Sequence, residues 1–255
     1  MSDVKRIYLD EISLIRDKSS SDGAQTKYYS DNQWFKVDYY GGEAESECLA
    51  TLLLDCTNLD KNSYVQYEKI MINESSGCVS RDFRKNDEAE FITLYRLYKN
   101  ISGRDLAAVT SKMDFDDAIM YVIDFVKKQT GLDITRYLAN TFWLDSIILN
   151  TDRHFNNYGV IMRGDEFREA PIFDNGKSLL TGMGVDLQEV GIENAVRKCY
   201  SKSFSPNFDL NADYLKQYCT ISLDERKLQE VLATGENTVQ MQVLKYQLVQ
   251  HGYII

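Results

Sequence analysis

The feature that most limits the fold of this chain is a change of period near Arg84. Before it, apolar and aromatic residues come in short alternating runs between turn-forming residues; after it, they recur at helical spacing. Arg6 to Ile15 alternates through Ile7, Leu9, Ile12 and Leu14, with one break in phase, and predicts a strand. Lys27 to Ser30 and Trp34 to Tyr40 predict two more. Glu43 to Cys56 is the exception in this half: Ala44, Cys48, Leu49 and Leu52 share one helical face. Tyr64 to Ile72 and Cys78 to Phe83 predict a strand pair turned by residues 73–77, Asn-Glu-Ser-Ser-Gly.

Beyond Arg84, helices are predicted over Asp87 to Tyr98, Phe115 to Lys128 and Asp133 to Leu149. In the last, Ile134, Tyr137, Leu138, Leu144, Ile147 and Ile148 form the apolar face. Ser222-Leu223-Asp224-Glu225 has the form of a capping box opening a further helix. One extended interruption falls between: Tyr158 to Met162, a turn at Arg163 to Glu166, then Phe167 to Phe173, which predicts a hairpin. The expected fold is α+β and two-lobed: a small β-rich lobe over residues 1–84 and a larger helical lobe over residues 85–255.

Charge and cysteine usage narrow the function classes. Acidic residues outnumber basic ones 39 to 29, for a net charge of -10. Direct nucleic-acid binding, which draws on an excess of Lys and Arg, is not expected. The five cysteines show no CxxC spacing, so reduced thiols are expected rather than a zinc site or a disulfide framework. The first residues lack an apolar signal core, and no run is long enough to span a bilayer. These features predict a cytoplasmic protein without membrane contact.

The densest chemistry lies in residues 150–157, Asn-Thr-Asp-Arg-His-Phe-Asn-Asn, and then, past the hairpin, in Phe173-Asp174-Asn175-Gly176. Phosphoryl transfer needs a carboxylate to orient the nucleophile or take its proton. It also needs a carboxylate and a carboxamide oxygen to hold Mg²⁺ against a triphosphate. Asp152, Asn157 and Asp174 supply that set, because a hairpin returns the chain to its start. Single Asp, Asn and Gly residues populate turns for local reasons; the ordered constellation is more particular. His154 suits bracing of the loop by hydrogen bonding better than the role of base.

Asp152 to Asn157 resembles the DRHxxN catalytic loop of phosphatidylinositol kinases and of HipA-like serine/threonine kinases. Asp174-Asn175-Gly176 stands where those kinases carry a DFG-type metal-binding motif, without its middle aromatic. Residues 20–27, Ser-Ser-Asp-Gly-Ala-Gln-Thr-Lys, resemble the HipA-type phosphate loop and select that group. The resemblance extends through Trp34-Phe35-Lys36, Glu43 to Glu47 and Gly77 to Phe83. It implies a protein-kinase-like fold using ATP and Mg²⁺, with Asp152 as base and Asn157 and Asp174 as metal ligands. It also implies that Gly23, Ala24, Gln25 and Lys27 cover the phosphates, and His154 is expected among the cofactor-binding residues. Lys36 is then the residue that neutralises the α- and β-phosphates, paired with a helix glutamate. Glu43 and Glu47 both qualify, and Glu47 is preferred as the deeper of the two. The adenine hinge falls at Val79 to Asp82 by the same resemblance.

Ser20, with Ser19 and Ser21 adjacent, aligns with the serine that HipA-like kinases autophosphorylate. A phosphoserine there would expel the loop or block ATP. The stretch before it has room for one strand, so the extra N-terminal subdomain of longer HipA proteins is expected to be absent, and with it some contacts to a DNA-binding antitoxin. The resemblance implies a protein substrate such as a translation factor and a toxin–antitoxin role. Two alternatives stay open: a small-molecule or lipid kinase on the same fold, and a catalytically silent nucleotide-binding regulator.

Overall fold

The computed structural model describes residues 5–15, 25–84 and 89–254. The first part builds a five-stranded sheet, ordered β1-β4-β5-β3-β2, from β1 (Arg6–Ile7), β2 (Lys27–Ser30), β3 (Gln33–Val37), β4 (Tyr67–Ile72) and β5 (Ser75–Arg81). β1 runs parallel to β4, and the other pairs are antiparallel. One helix, α1 (Glu43–Asp55), joins β3 to β4 across a face of the sheet.

The sheet departs from the expected strands in three places. Only Arg6 and Ile7 of the stretch Arg6 to Ile15 form a strand. The Asp10 side chain then caps a 3₁₀ turn over Glu11–Ser13 by accepting from the Ser13 N–H, and Ile12 is left 93% exposed. A local side-chain bond has displaced the ladder. The turn at residues 73–77 shrinks to Asn73-Glu74, whose φ angles of 46° and 66° make a tight, left-handed hairpin turn. Ser75 to Gly77 therefore join β5, where a Cβ on Gly77 would meet the Lys36 carbonyl oxygen at 2.4 Å. Finally, Tyr64 belongs to no strand of this sheet; it makes an isolated parallel bridge to Ile172.

The second part is mainly helical. It opens with β6 (Glu90–Thr93), then α2 (Leu94–Ser102), α3 (Leu106–Thr110), α4 (Phe115–Thr130) and α5 (Thr135–Ile148). The helix expected from Asp87 thus begins at Leu94. Thr93 caps it by accepting from the Arg96 N–H, and the residues just before pair with the hairpin instead. α5 begins at Thr135, where Asp133 accepts from both the N–H and the hydroxyl of Thr135. The hairpin of β7 (Gly159–Arg163) and β8 (Glu166–Glu169) completes a three-stranded sheet with β6.

The chain continues through α6 (Leu187–Val190), α7 (Ile192–Val196), α8 (Phe208–Tyr214), α9 (Glu225–Thr234) and α10 (Val239–Gln250). The cap of α9 is Asp224, which accepts from the Lys227 N–H, rather than Ser222, whose N–H bonds Asn58. α5 is buried almost all round, and Leu138, Phe142 and Ile147 pack with Ile119 of α4 and Leu244 of α10 in the main core. That core also takes in Leu49 and Leu53 of α1, so the two lobes share it. All five cysteines are free thiols. Among the described residues, no helix is long and apolar enough to cross a membrane.

Candidate active site

A cavity of about 540 Å³ lies between the lobes, within the usual range for small-ligand sites. Lys36, Asp152, His154, Asn157 and Asp174 all line it. Gln25 and Lys27 line its upper side, as do Ser80, Asp82 and Arg84 near the expected hinge. Ser20, Gly23 and Ala24, with Ser19 and Ser21, lie outside the described residues.

The roof is set by sheet register. Lys36 of β3 stands directly opposite Lys27 of β2, and both lysines line the cavity. Like charges directly opposed across a ladder are unfavourable unless something negative lies between or beyond them. For Lys36 the compensation is plain. Its Nζ lies 2.7 Å from Glu47 Oε1 and 2.7 Å from Asp174 Oδ1. Burial disfavours the ammonium, yet Asp174 and Glu47 overcome it and hold Lys36 well above the ordinary lysine range. In turn, Lys36 outweighs the burial of Asp174 and holds that carboxyl well below the ordinary range. Glu47 is raised by burial, against the pull of Lys36.

Glu43, the other candidate partner for Lys36, turns elsewhere. Its Oε1 accepts from the Tyr39 and Tyr40 N–H groups at 3.2 and 2.8 Å, which fixes the entry to α1. Tyr67 was not apparent from the sequence. Its ring lies 5.1 Å from Lys36 Nζ, and its hydroxyl is 3.4 Å from the Asp174 N–H.

The floor is set by two loops clasped from beneath. Asn150 donates to the Asp174 carbonyl oxygen at 3.2 Å and accepts from the Asp152 N–H at 3.1 Å. Asn157 donates its side-chain N–H to the Asp152 carbonyl oxygen at 3.0 Å. Arg153 is wholly buried and spans both loops: it pairs with Asp145 of α5, donates to Asn175 Oδ1 at 2.6 Å and donates to the Phe173 carbonyl oxygen. Asn175 closes the circuit through its own N–H, 2.8 Å from Glu47 Oε2. A continuous chain of polar contacts therefore runs from Lys36 through Glu47, Asn175 and Arg153 to Asp145.

One expectation finds no support here. His154 lines the cavity, but its ring Nδ1 is buried without a hydrogen-bond partner and so braces nothing. Asn150, Arg153 and Asn157 do that work. The middle position of Asp174-Asn175-Gly176 remains without an aromatic, and the aromatic at this turn is the preceding Phe173. Phe173 packs 5.3 Å from Phe91 and 5.8 Å from Phe83, ring centre to ring centre. Lys202, from the loop before α8, was also missed; its Nζ donates to Asp152 Oδ1. Among the described residues, no group of three or more His, Cys, Asp or Glu side chains forms a metal cage. An ion held here would take one carboxylate and one carboxamide from the chain and the rest of its oxygens from its ligand.

No protein-family model matches the chain, and no curated protein matches it. Solved structures do. The chain is similar to a proinflammatory kinase of Helicobacter pylori, CtkA, at a TM-score of 0.69 and 14% identity, covering 97% of this chain and 93% of that one. It is also similar to HipA of Shewanella oneidensis MR-1, solved with HipB and operator DNA, at a TM-score of 0.52 and 11% identity. That match covers 94% of this chain and 65% of the HipA chain. At such identities the likeness establishes the fold alone, a two-lobed kinase fold.

Proposed function

We propose that this chain is a HipA-like serine/threonine protein kinase that transfers the γ-phosphate of ATP, with Mg²⁺, to a hydroxyl group. The observation that carries the reading is the convergence of Asp152, Asn157, Asp174 and the Lys36–Glu47 pair on one interlobe cavity.

The donor chemistry fits the cofactors. The Asn157 amide nitrogen is spent on the Asp152 carbonyl, which leaves its amide oxygen to serve as a ligand, and Asp174 lines the same cavity. Hard oxygen donors of this kind suit Mg²⁺. Bound ATP and Mg²⁺ supply the phosphoryl group and the cation that neutralises its charge. Lys27 and Lys36, opposed on the sheet, offer positive charge to the phosphates, and Glu47 aims Lys36. Asp152 orients the acceptor hydroxyl and takes its proton.

The partners in this reading come by analogy with the structural neighbours. HipA of S. oneidensis was solved with HipB, and by analogy the reading includes an antitoxin partner for this chain. A protein acceptor such as a translation factor, a cytoplasmic setting and self-phosphorylation at Ser20 belong to the same reading.

The test is to incubate the purified protein with ATP and Mg²⁺ beside Asp152→Ala, take intact masses, and map phosphopeptides. One added phosphate at Ser19 to Ser21, absent from the variant, supports an active, self-limiting kinase. ATP binding without added phosphate redirects the reading to a non-protein acceptor. Absence of ATP binding overturns it.

A further inference from the structure

Lys202 sits on a loop that is more elaborately held than an exposed lysine requires. Ser201, Ser203 and Ser205 all turn inward and are buried, while Lys202 between the first two is left 43% exposed at the side chain. Asn211 of α8 gathers them. Its amide nitrogen lies 3.0 Å from the Ser205 carbonyl oxygen and 3.4 Å from both the Ser203 carbonyl oxygen and the Ser201 hydroxyl. Its amide oxygen accepts from the Ser205 N–H at 3.1 Å. The Ser203 hydroxyl donates to the carbonyl oxygen of Arg153, which ties the loop to the residue next to Asp152.

Phe204 takes a left-handed backbone, φ 60°, and sends its ring between Phe142 and Phe155, at 5.5 and 5.4 Å. Such a conformation in a bulky residue costs energy and persists only where its surroundings over-determine it. These contacts fix the loop that carries Lys202, whose ammonium donates to Asp152 Oδ1.

An exposed lysine–aspartate pair adds little to stability, so stability does not account for the arrangement. Geometry at the reacting centre does. A carboxylate that takes a proton needs one oxygen fixed and the other free to meet the hydroxyl, and small misplacements at a reacting centre are expensive.

We propose that Lys202 is a positioning residue for phosphoryl transfer, holding one oxygen of Asp152 so that the other faces the acceptor hydroxyl. The proposal rests on the kinase reading above and deepens it.

The test uses the full chain as wild type, Lys202→Met, Lys202→Arg, Asp152→Asn and the Lys202→Met/Asp152→Asn double variant. The transfer rate at saturating ATP is measured beside the dissociation constant of a fluorescent ATP analogue and the urea midpoint. Lys202→Met is expected to lower kcat by about 10- to 100-fold, with nucleotide affinity and midpoint unchanged. Lys202→Arg recovers most of the rate. The double variant is no slower than Asp152→Asn, because Lys202 acts through Asp152.

A Lys202→Met rate within about twofold of wild type overturns the role, since misplacement should cost more. So does a loss of affinity matching the loss of rate, or a lowered midpoint without rescue by arginine. Normal wild-type transfer with an indifferent Lys202→Met sinks this proposal alone. Nucleotide binding without any wild-type transfer to protein redirects the reading to a non-protein acceptor and sinks this role with the protein-kinase reading.

Discussion

Removing the carboxylate of Asp145 tests how the two loops beneath the cavity are held together. The Arg153 side chain is 0% exposed and that of Asp145 5%. Burial pushes the Asp145 carboxyl up, and the Arg153 charge beside it works against that shift. In Asp145→Ala, the guanidinium keeps Asn175 and the Phe173 carbonyl but loses its only carboxylate partner among the described residues. Leaving a buried charge uncompensated costs about 3–5 kcal/mol. That is a large share of the roughly 5–15 kcal/mol by which folded chains are stable. With a urea slope near 3 kcal/mol per M, the midpoint should fall by about 1–2 M without a change of slope.

The companion variant Asp145→Ala/Arg153→Met removes both charges and fills the space. It should regain part of the loss, because the desolvation cost goes with the pair, while the Asn175 and Phe173 oxygens lose their donor. A fall of less than about 1 kcal/mol for Asp145→Ala, or a double variant no more stable than the single one, would refute the reasoning.

Two further outcomes are expected. Gly77→Ala should cost about 1–3 kcal/mol in thermal or urea unfolding, because its Cβ would lie 2.4 Å from the Lys36 carbonyl oxygen; a neutral result contradicts the close approach. Bonds from Thr135, then the Lys127 ammonium, hold the Asp133 carboxyl down to about 2, so its contribution to stability is present above its unfolded value of about 3.9 and fades as pH falls toward 2. The difference in Tm between wild type and Asp133→Asn should therefore shrink across that window, and a constant difference argues against it.

The legible parts of the site were those with local signatures. Asp152, Asn157 and Asp174 are marked by a short spacing and a hairpin, and the structure lines one cavity with all three. Preferring Glu47 to Glu43 needed only helix geometry, because a residue one turn deeper reaches under the sheet. Tyr67, Arg153, Asn175 and Lys202 were hidden for the opposite reason. Each acts through a partner far away in sequence, on a neighbouring loop or helix, and no local pattern reports which distant carbonyl a buried Arg153 will find. The strand at Glu90–Thr93 was missed because its partner, β7, comes more than sixty residues later. Read alone, Glu90 to Tyr98 fits a helix; in the fold, a waiting strand edge claims its first four residues.

The seating of α1 has a consequence for control. Leu49, Leu53 and Leu54 face the core of the large lobe, while Ala44 packs against Val65, Tyr67 and Cys78 of the small one. Swinging this helix outward to withdraw Glu47 would uncover three leucines, at roughly 1.5–3 kcal/mol each. The total of roughly 5–9 kcal/mol exceeds the 1–3 kcal/mol typical of coupling between an effector site and a distant one. The helix is thus a keel rather than a lever. By this estimate, an off-switch of the proposed kinase would act more cheaply on the loops that meet the cavity, with the Lys36–Glu47 pair left assembled in both states.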